Sequence, residues 1–232
     1  MVAKLVCFCV TLLLLIGFSS ANTEIINFSV AEDDELDLPF TETWPIFYPG
    51  HSQAKFEVTS AKLGTVLSSE ICPDLPKWSS KYPQRCPHET WVVLDLDRGD
   101  WKRFNKFTLR VSWAAFHPTD FSIKVHDPTA LAIHSQRPAG ISSTRRKYAR
   151  IQLVHAGVLT PPHNDTLDAM VRQLVPFVLT VEPLHLGIIP ESVIPVIAAI
   201  MLAIVLGLPL SAWVYTHLLS IAKQAKLATK VD

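Results

Sequence analysis

Surplus charge is the first thing this chain lacks. Its 21 Lys and Arg are matched by 21 Asp and Glu over 232 residues, a formal net charge of zero. It therefore has no overall basic field of the kind that draws in nucleic acid. Cysteine is scarce too, at 4 residues. Cys7 and Cys9 sit in a leading apolar segment, which leaves Cys72 and Cys86 and a single intramolecular pairing. Their spacing matches no CxxC redox logic, and too few ligands lie near them for zinc. In an oxidising compartment they are expected as a structural disulfide, worth about 3 kcal/mol in the chain-entropy account of such a loop. The chain also lacks an HExxH zinc motif, a GxSxG nucleophile elbow, a Gly-rich nucleotide loop and an alternating βα pattern. No catalytic residue, cofactor or metal site is expected.

Charge is absent altogether between Glu191 and Lys223. Within that gap, Val193 to Tyr215 would span about 35 Å as a helix, enough to cross a hydrocarbon core of about 30 Å with some tilt. Lys223, Lys226 and Lys230 follow on one side only, which predicts that side to be cytosolic. At the other end, Lys4 precedes an apolar stretch from Leu5 to Phe18 and the small residues Ser19, Ser20 and Ala21, the pattern of a secretory signal peptide. Cleavage would make Asn22 the mature N-terminus. The expected layout is a signal peptide at 1–21, a lumenal domain at 22–191, a transmembrane region at 192–222 and a cytosolic tail at 223–232. Between signal peptide and span there remain 17 basic and 20 acidic residues, because Lys4, Lys223, Lys226, Lys230 and Asp232 lie outside, and the net charge of −3 implies no particular partner.

The lumenal segment reads as short strands punctuated by proline-rich turns. Asn22–Val30, Phe56–Thr59, Trp91–Asp97, Phe107–Trp113, Phe121–Val125, Ile151–Val154 and Phe177–Val181 carry strand formers, several with alternating polarity. Arg98-Gly99-Asp100 predicts a turn that joins the third and fourth segments as a hairpin. Only Thr166 to Val175 suggests a short helix. The fold class expected is all-β, an antiparallel sandwich, followed by one C-terminal transmembrane helix.

Several local patterns invite a chemical reading. Asp95-Leu96-Asp97 is a DxD triplet, which on one strand face could hold a divalent metal on a nucleotide-sugar diphosphate; the plainer reading is a strand end before a turn. Arg98-Gly99-Asp100 spells an integrin-binding tripeptide but also fills a turn that needs glycine. The acidic run Glu32 to Asp37 reads as a solvated loop, without EF-hand spacing. Arg145-Arg146-Lys147 with Arg150 reads as an exposed loop entering a strand, or as a site for phosphate-bearing headgroups. Trp113, Phe116 and Phe121 read as core and turn anchors. Asn27-Phe28-Ser29 and Asn164-Asp165-Thr166 are glycosylation sequons, the second in the better loop context.

Two segments carry a family resemblance. Asn22-Thr23-Glu24 at the mature start and Trp113-Ala114-Ala115 with Pro118, Thr119 and Phe121 resemble the fungal accessory subunit of glycosylphosphatidylinositol mannosyltransferase II. The order of signal peptide, β-rich domain and single C-terminal span is similar as well. The resemblance implies a non-catalytic endoplasmic-reticulum protein of type I topology. It would partner a multi-spanning catalytic mannosyltransferase that adds the second mannose to the lipid-linked glycan precursor. Two rivals come from other classes: a type I receptor, cargo-binding or adhesion protein with an Ig-like ectodomain, and a small lumenal glycosyltransferase using Asp95 and Asp97. Within the span, Gly207, Pro209 and Ser211 are expected to offer an intramembrane contact face, since small residues allow close helix approach.

Overall fold

The computed structural model describes residues 21–79, 81–132, 142–157 and 174–228, with side chains to residue 223. The signal peptide as far as Ser20, the Asn164 sequon and residues 166–173 of the expected helix lie outside the described residues. Val175, assigned to that helix, is instead in a strand.

Among the described residues the strands are β1 Ala21–Ser29, β2 Asp33–Asp34, β3 Ile46–Phe47, β4 Gln53–Thr59, β5 Glu89–Leu94, β6 Lys106–Ala114, β7 Thr119–His126, β8 Ser143–Thr144, β9 Lys147–His155, β10 Leu174–His185 and β11 Ile189–Pro190. The helices are α1 Pro128–Leu131 and α2 Ile194–Ala228. All seven expected strands form. One sheet has the order β1-β6-β10-β4, antiparallel throughout; the other has the order β3-β5-β9-β7, antiparallel except for the β3–β5 pair.

Alternation explains which side chains meet between the sheets. Phe107, Leu109, Val111 and Trp113 of β6 and Val175, Phe177, Leu179 and Val181 of β10 face Val92 and Leu94 of β5 and Ile151 and Leu153 of β9 in one core. Burial of each such large side chain contributes roughly 1.5–3 kcal/mol. β5 is buried along its whole length, because its other face covers a second cluster. There Trp91, Val93 and Tyr148 meet Leu38, Trp44, Leu75, Trp78, Cys86 and Leu131. Trp44 is the hub, with ring centroids 5.5 Å from Trp91, 5.6 Å from Trp78 and 6.0 Å from Tyr148. The Cys72–Cys86 disulfide forms, its Cα atoms 6.0 Å apart, and staples the loop that covers this outer cluster.

The expected hairpin between the Trp91 and Phe107 segments does not form. β5 and β6 belong to different sheets. The residues between them turn through a 3-10 helix, Gly99–Arg103, whose Trp101 is buried against Phe107 and carries the chain across the sandwich. The continuous apolar run of β5 marks a strand covered on both faces.

The described residues fall into two units divided between Pro183 and Leu184. The second unit holds the end of β10, a turn, β11 and α2. Pro195 lies in the first turn of α2, where its missing N–H costs the helix nothing. The helix outlasts the expected core, running beyond Lys223 to Ala228.

Candidate functional site

β1 and β6 bring the two resembling segments side by side. In their antiparallel register Asn22 lies opposite Trp113, Thr23 opposite Ser112 and Glu24 opposite Val111. The hydroxyls of Thr23 and Ser112 approach to 3.4 Å. Trp113 is buried and packs on Phe121 with centroids 4.4 Å apart; Phe121 in turn meets Phe177 edge-on at 5.2 Å. Ala114, Ala115 and Pro118 form the corner by which the chain leaves β6 in one sheet and enters β7 in the other, closed by the His117 N–H donating to the Ala114 carbonyl at 3.0 Å. Thr119 is buried at the start of β7. Trp113 and Thr119 are thus buried at the two ends of this inter-sheet corner, and Ala115 and Pro118 are exposed within it. Phe116 departs from its expected role: it is 78 % exposed and touches His117 instead of anchoring the core. It borders a hollow of about 240 Å³ with His117, Pro118, Thr119 and His155.

An ion pair, Lys147 with Asp33, joins the two charged clusters. β2 pairs with β8, which sets the acidic run against the basic one. Lys147, buried, pairs with Asp33 and with Asp127 at 2.6 Å. Burial alone would pull the Lys147 ammonium down, but hydrogen bonds to Asp127 and Asp33 outweigh it and hold it above the ordinary lysine range. Glu32 and Glu35 accept from the hydroxyls of Ser143 and Ser142. Arg145 donates to the carbonyls of Lys102 and Phe104. The acidic run stays largely solvated, with Glu32, Asp34, Glu35 and Asp37 exposed, whereas the exposed basic loop expected from sequence does not hold, because Lys147 and Arg150 turn inward to Asp33 and Glu89.

Arg150 is buried with Glu89, their side chains both 3 % exposed. Its Nε donates to Glu89 Oε2 at 2.7 Å, and its NH1 to the carbonyls of Ser68 and Glu70 at 3.2 and 2.9 Å. Trp91 Nε1 donates to Glu89 Oε1 at 2.8 Å, and Gln152 Nε2 to Oε2 at 3.3 Å. This network ties the segment before the disulfide to the sheet. Cys72, Cys86 and Glu89 come together, but the sulfurs are bonded to each other and the carboxylate faces a guanidinium, which is not a donor set for a cation.

The DxD triplet does not lie on one strand face. β5 ends at Leu94, and Asp97 sits in the following turn, where its Oδ2 accepts from Thr144 Oγ1 and from the Arg145 N–H, each at 2.8 Å. That carboxylate positions the β8 turn. Gly99 has φ +55°, a left-handed conformation that favours glycine, and Arg98 lies over the Tyr48 ring at 4.1 Å. The tripeptide therefore has a conformational reason to exist. Asn27 is exposed on β1, while its neighbours Ile26 and Phe28 pack on the core. A hollow of about 550 Å³ is lined by Glu35, Asp37, Thr41, Arg146 and Tyr148 with apolar neighbours. Burial pushes the Tyr148 hydroxyl above its usual value.

On α2 every described side chain from Ile194 to Lys223 is exposed, and no charge falls between Glu191 and Lys223. A helix apolar all round, with nothing buried, is long and apolar enough to cross a membrane. Pro209 cannot donate to the Val205 carbonyl one turn back, which opens the backbone ladder there. Ser211 Oγ donates to the Leu208 carbonyl at 2.9 Å, and Thr216 and Ser220 do likewise to Trp213 and His217. Each hydroxyl is thus satisfied within the helix, as a lipid surrounding demands. Ala199, Ala203, Gly207 and Ser211 recur every four residues and lie along one face, which extends the expected contact residues Gly207 and Ser211 toward the start of the helix.

Comparison with known proteins gives a relative consistent with the resemblance. A GPI mannosyltransferase 2 subunit of Schizosaccharomyces pombe is 26 % identical over 200 residues, covering 86 % of this chain and 88 % of that protein. The chain is thus a distant homologue of a fungal GPI mannosyltransferase 2 subunit and carries a C-terminal helix able to cross a membrane. No family model matches the sequence, and no solved structure matches the fold.

Proposed function

We propose that this chain is a non-catalytic subunit of the mannosyltransferase that adds the second mannose to the glycosylphosphatidylinositol precursor. It is held in the endoplasmic-reticulum membrane by α2, with the sandwich in the lumen and the C-terminal lysines in the cytosol. The observation that carries this reading is the alignment with the fission-yeast subunit, which extends over nearly the whole of both chains. The side-chain contacts support a scaffold. Asp97 is occupied by Thr144 and Arg145, Glu89 by Arg150 and Trp91, and Cys72 by Cys86. The partner is the multi-spanning catalytic subunit, and the lipid-linked glycan precursor is its substrate. Asn27 and Asn164 are the glycan acceptors of the lumenal domain.

The helix contributes to partner binding as well as anchoring. The face of Ala199, Ala203, Gly207 and Ser211 admits a second helix closely, and Pro209 leaves a carbonyl for it to approach. Purification of the tagged full-length chain from a fungal host in mild detergent recovers the catalytic mannosyltransferase. Replacement of Val193–Tyr215 by a leucine span keeps the chain in the membrane but loses that partner. Normal mannosylation after depletion of the chain, or localisation at the cell surface, overturns the proposal.

A further inference from the structure

The short hairpin ahead of α2 breaks a local rule. Leu184 pairs with Pro190 and His185 with Ile189, and the turn between them is Leu186-Gly187-Ile188. The N–H groups of Gly187 and Ile188 donate to the carbonyls of Leu184 and His185, each at 3.2 Å. Leu186 has φ +53° and Gly187 φ +75°. Consecutive left-handed residues are a turn geometry that glycine, asparagine and aspartate adopt freely, and a branched side chain adopts it only with steric strain. Leucine nevertheless occupies the first of these positions, 90 % exposed, and Ile188 beside it is 73 % exposed. A polar turn residue would relieve the strain and be better solvated. A bulky apolar pair in this place calls for an apolar surrounding.

The chain itself indicates which. The β10–β11 rung Leu184–Pro190 directly precedes the 3-10 turn Glu191–Val193 that enters α2. Five residues link Ile188 to Val193, so at about 3.3–3.6 Å per residue the turn lies within about 18 Å of the first residues of the span. From Pro183 to Pro190 the only titratable side chain is His185, so no full charge must be desolvated to bring the hairpin to the bilayer boundary. We propose that the Leu186–Ile188 turn inserts into the interfacial layer of the membrane, beside the entry of α2, as a second lipid contact. The pair would resist rotation of the chain about the helix axis, which a lone helix does not. The inference rests on the membrane reading of α2 and on nothing in the mannosyltransferase assignment.

The test is site-directed spin labelling of the full-length chain in phosphatidylcholine nanodiscs, with the native disulfide intact and one introduced thiol at a time. Leu186→Cys is compared with Val205→Cys in the span and Val66→Cys on the domain, where Val66 is 92 % exposed. The label at 186 is expected to collide more with oxygen than with a water-soluble nickel chelate, between the values at 205 and 66. A label at 186 that meets nickel as freely as the one at 66, while 205 remains in lipid, overturns the proposal. Protection at 186 from both reagents means a protein occupant and overturns it too. A nickel-accessible label at 205 refutes the membrane reading first, and this proposal with it. In the Leu186→Asn chain the turn is relieved of strain. Its unfolding temperature holds or rises, while a label at Ile188→Cys shifts toward nickel accessibility, which separates lipid contact from a folding role.

Discussion

Replacing Glu89 by alanine leaves the Arg150 guanidinium buried without its counter-charge. The side chains of both residues are 3 % exposed, so solvent does little to screen the loss. Breaking a buried ion pair from one side costs about 3–5 kcal/mol. The Trp91 indole N–H and the Gln152 amide lose an acceptor in the same event, so their penalties overlap with that figure and do not add to it. Arg150→Met is expected to cost a similar amount, since it also frees the carbonyls of Ser68 and Glu70. The double variant Glu89→Ala with Arg150→Met removes both charges at once. It should cost about 1–3 kcal/mol for the unpaired neutral groups, well below the sum of the single changes. The assay is thermal unfolding of the full-length chain in mild detergent, followed by tryptophan fluorescence, because Trp44, Trp78 and Trp91 report on the outer cluster. At about 2–4 °C per kcal/mol for a domain of this size, each single change lowers the midpoint by about 6–20 °C. A loss below about 1 kcal/mol for Glu89→Ala, or a cycle that adds without coupling, would refute the assignment of this pair as the clamp on the segment before the disulfide.

Three further outcomes are expected. Burial, with the nearby charges of Arg150 and Lys124, depresses the His126 imidazole against an opposing Asp127. Because the unfolded chain then binds the extra proton more readily, stability is full above about pH 6.5 and falls as pH drops from there through the folded-state value. His126→Gln flattens that part of a melting-temperature profile, and an unchanged slope counts against the account. Replacing Cys72 and Cys86 by serine removes about 3 kcal/mol, and reduced wild-type protein should melt with the variant. Asp97→Ala costs about 1–3 kcal/mol through Thr144 and the Arg145 N–H, whereas Asp95→Ala stays within about 0.5 kcal/mol. Equal and complete loss of complementation by both, without loss of stability, would instead revive a metal-binding triplet.

What could be read before the structure was governed by range. The seven strands are written in local alternation, and the disulfide follows from having only Cys72 and Cys86 to pair. Partner choice was less legible. The Arg98-Gly99-Asp100 turn was placed correctly, yet the pairing drawn across it failed because Trp101 takes the chain to the opposite sheet. Trp91 and Val93 share a strand with Val92 and Leu94 but serve a different cluster, and nothing near them announces the second cluster that Trp44 organises. The opposed runs at 32–37 and 145–150 each look solvated alone. Only the pairing of β2 with β8 turns Lys147 inward to Asp33. On the β1–β6–β7 corner, the residues that carry the family likeness proved to be neighbours, which two distant segments of sequence could not display.

The place of β10 has a consequence for biogenesis. It pairs with β6 along one side and with β4 along the other, yet it is made after every other strand of the two sheets. Until residues 174–185 emerge, β4 and β6 each present an open edge, and the faces of Val111 and Phe56 lack their cover. A nascent chain in that state needs chaperone protection for as long as synthesis of its middle portion takes. The next segment to emerge is α2. Closure of the first sheet and delivery of the span to the bilayer therefore fall in the same short interval, and a stalled membrane insertion would hold the sandwich in its most aggregation-prone form.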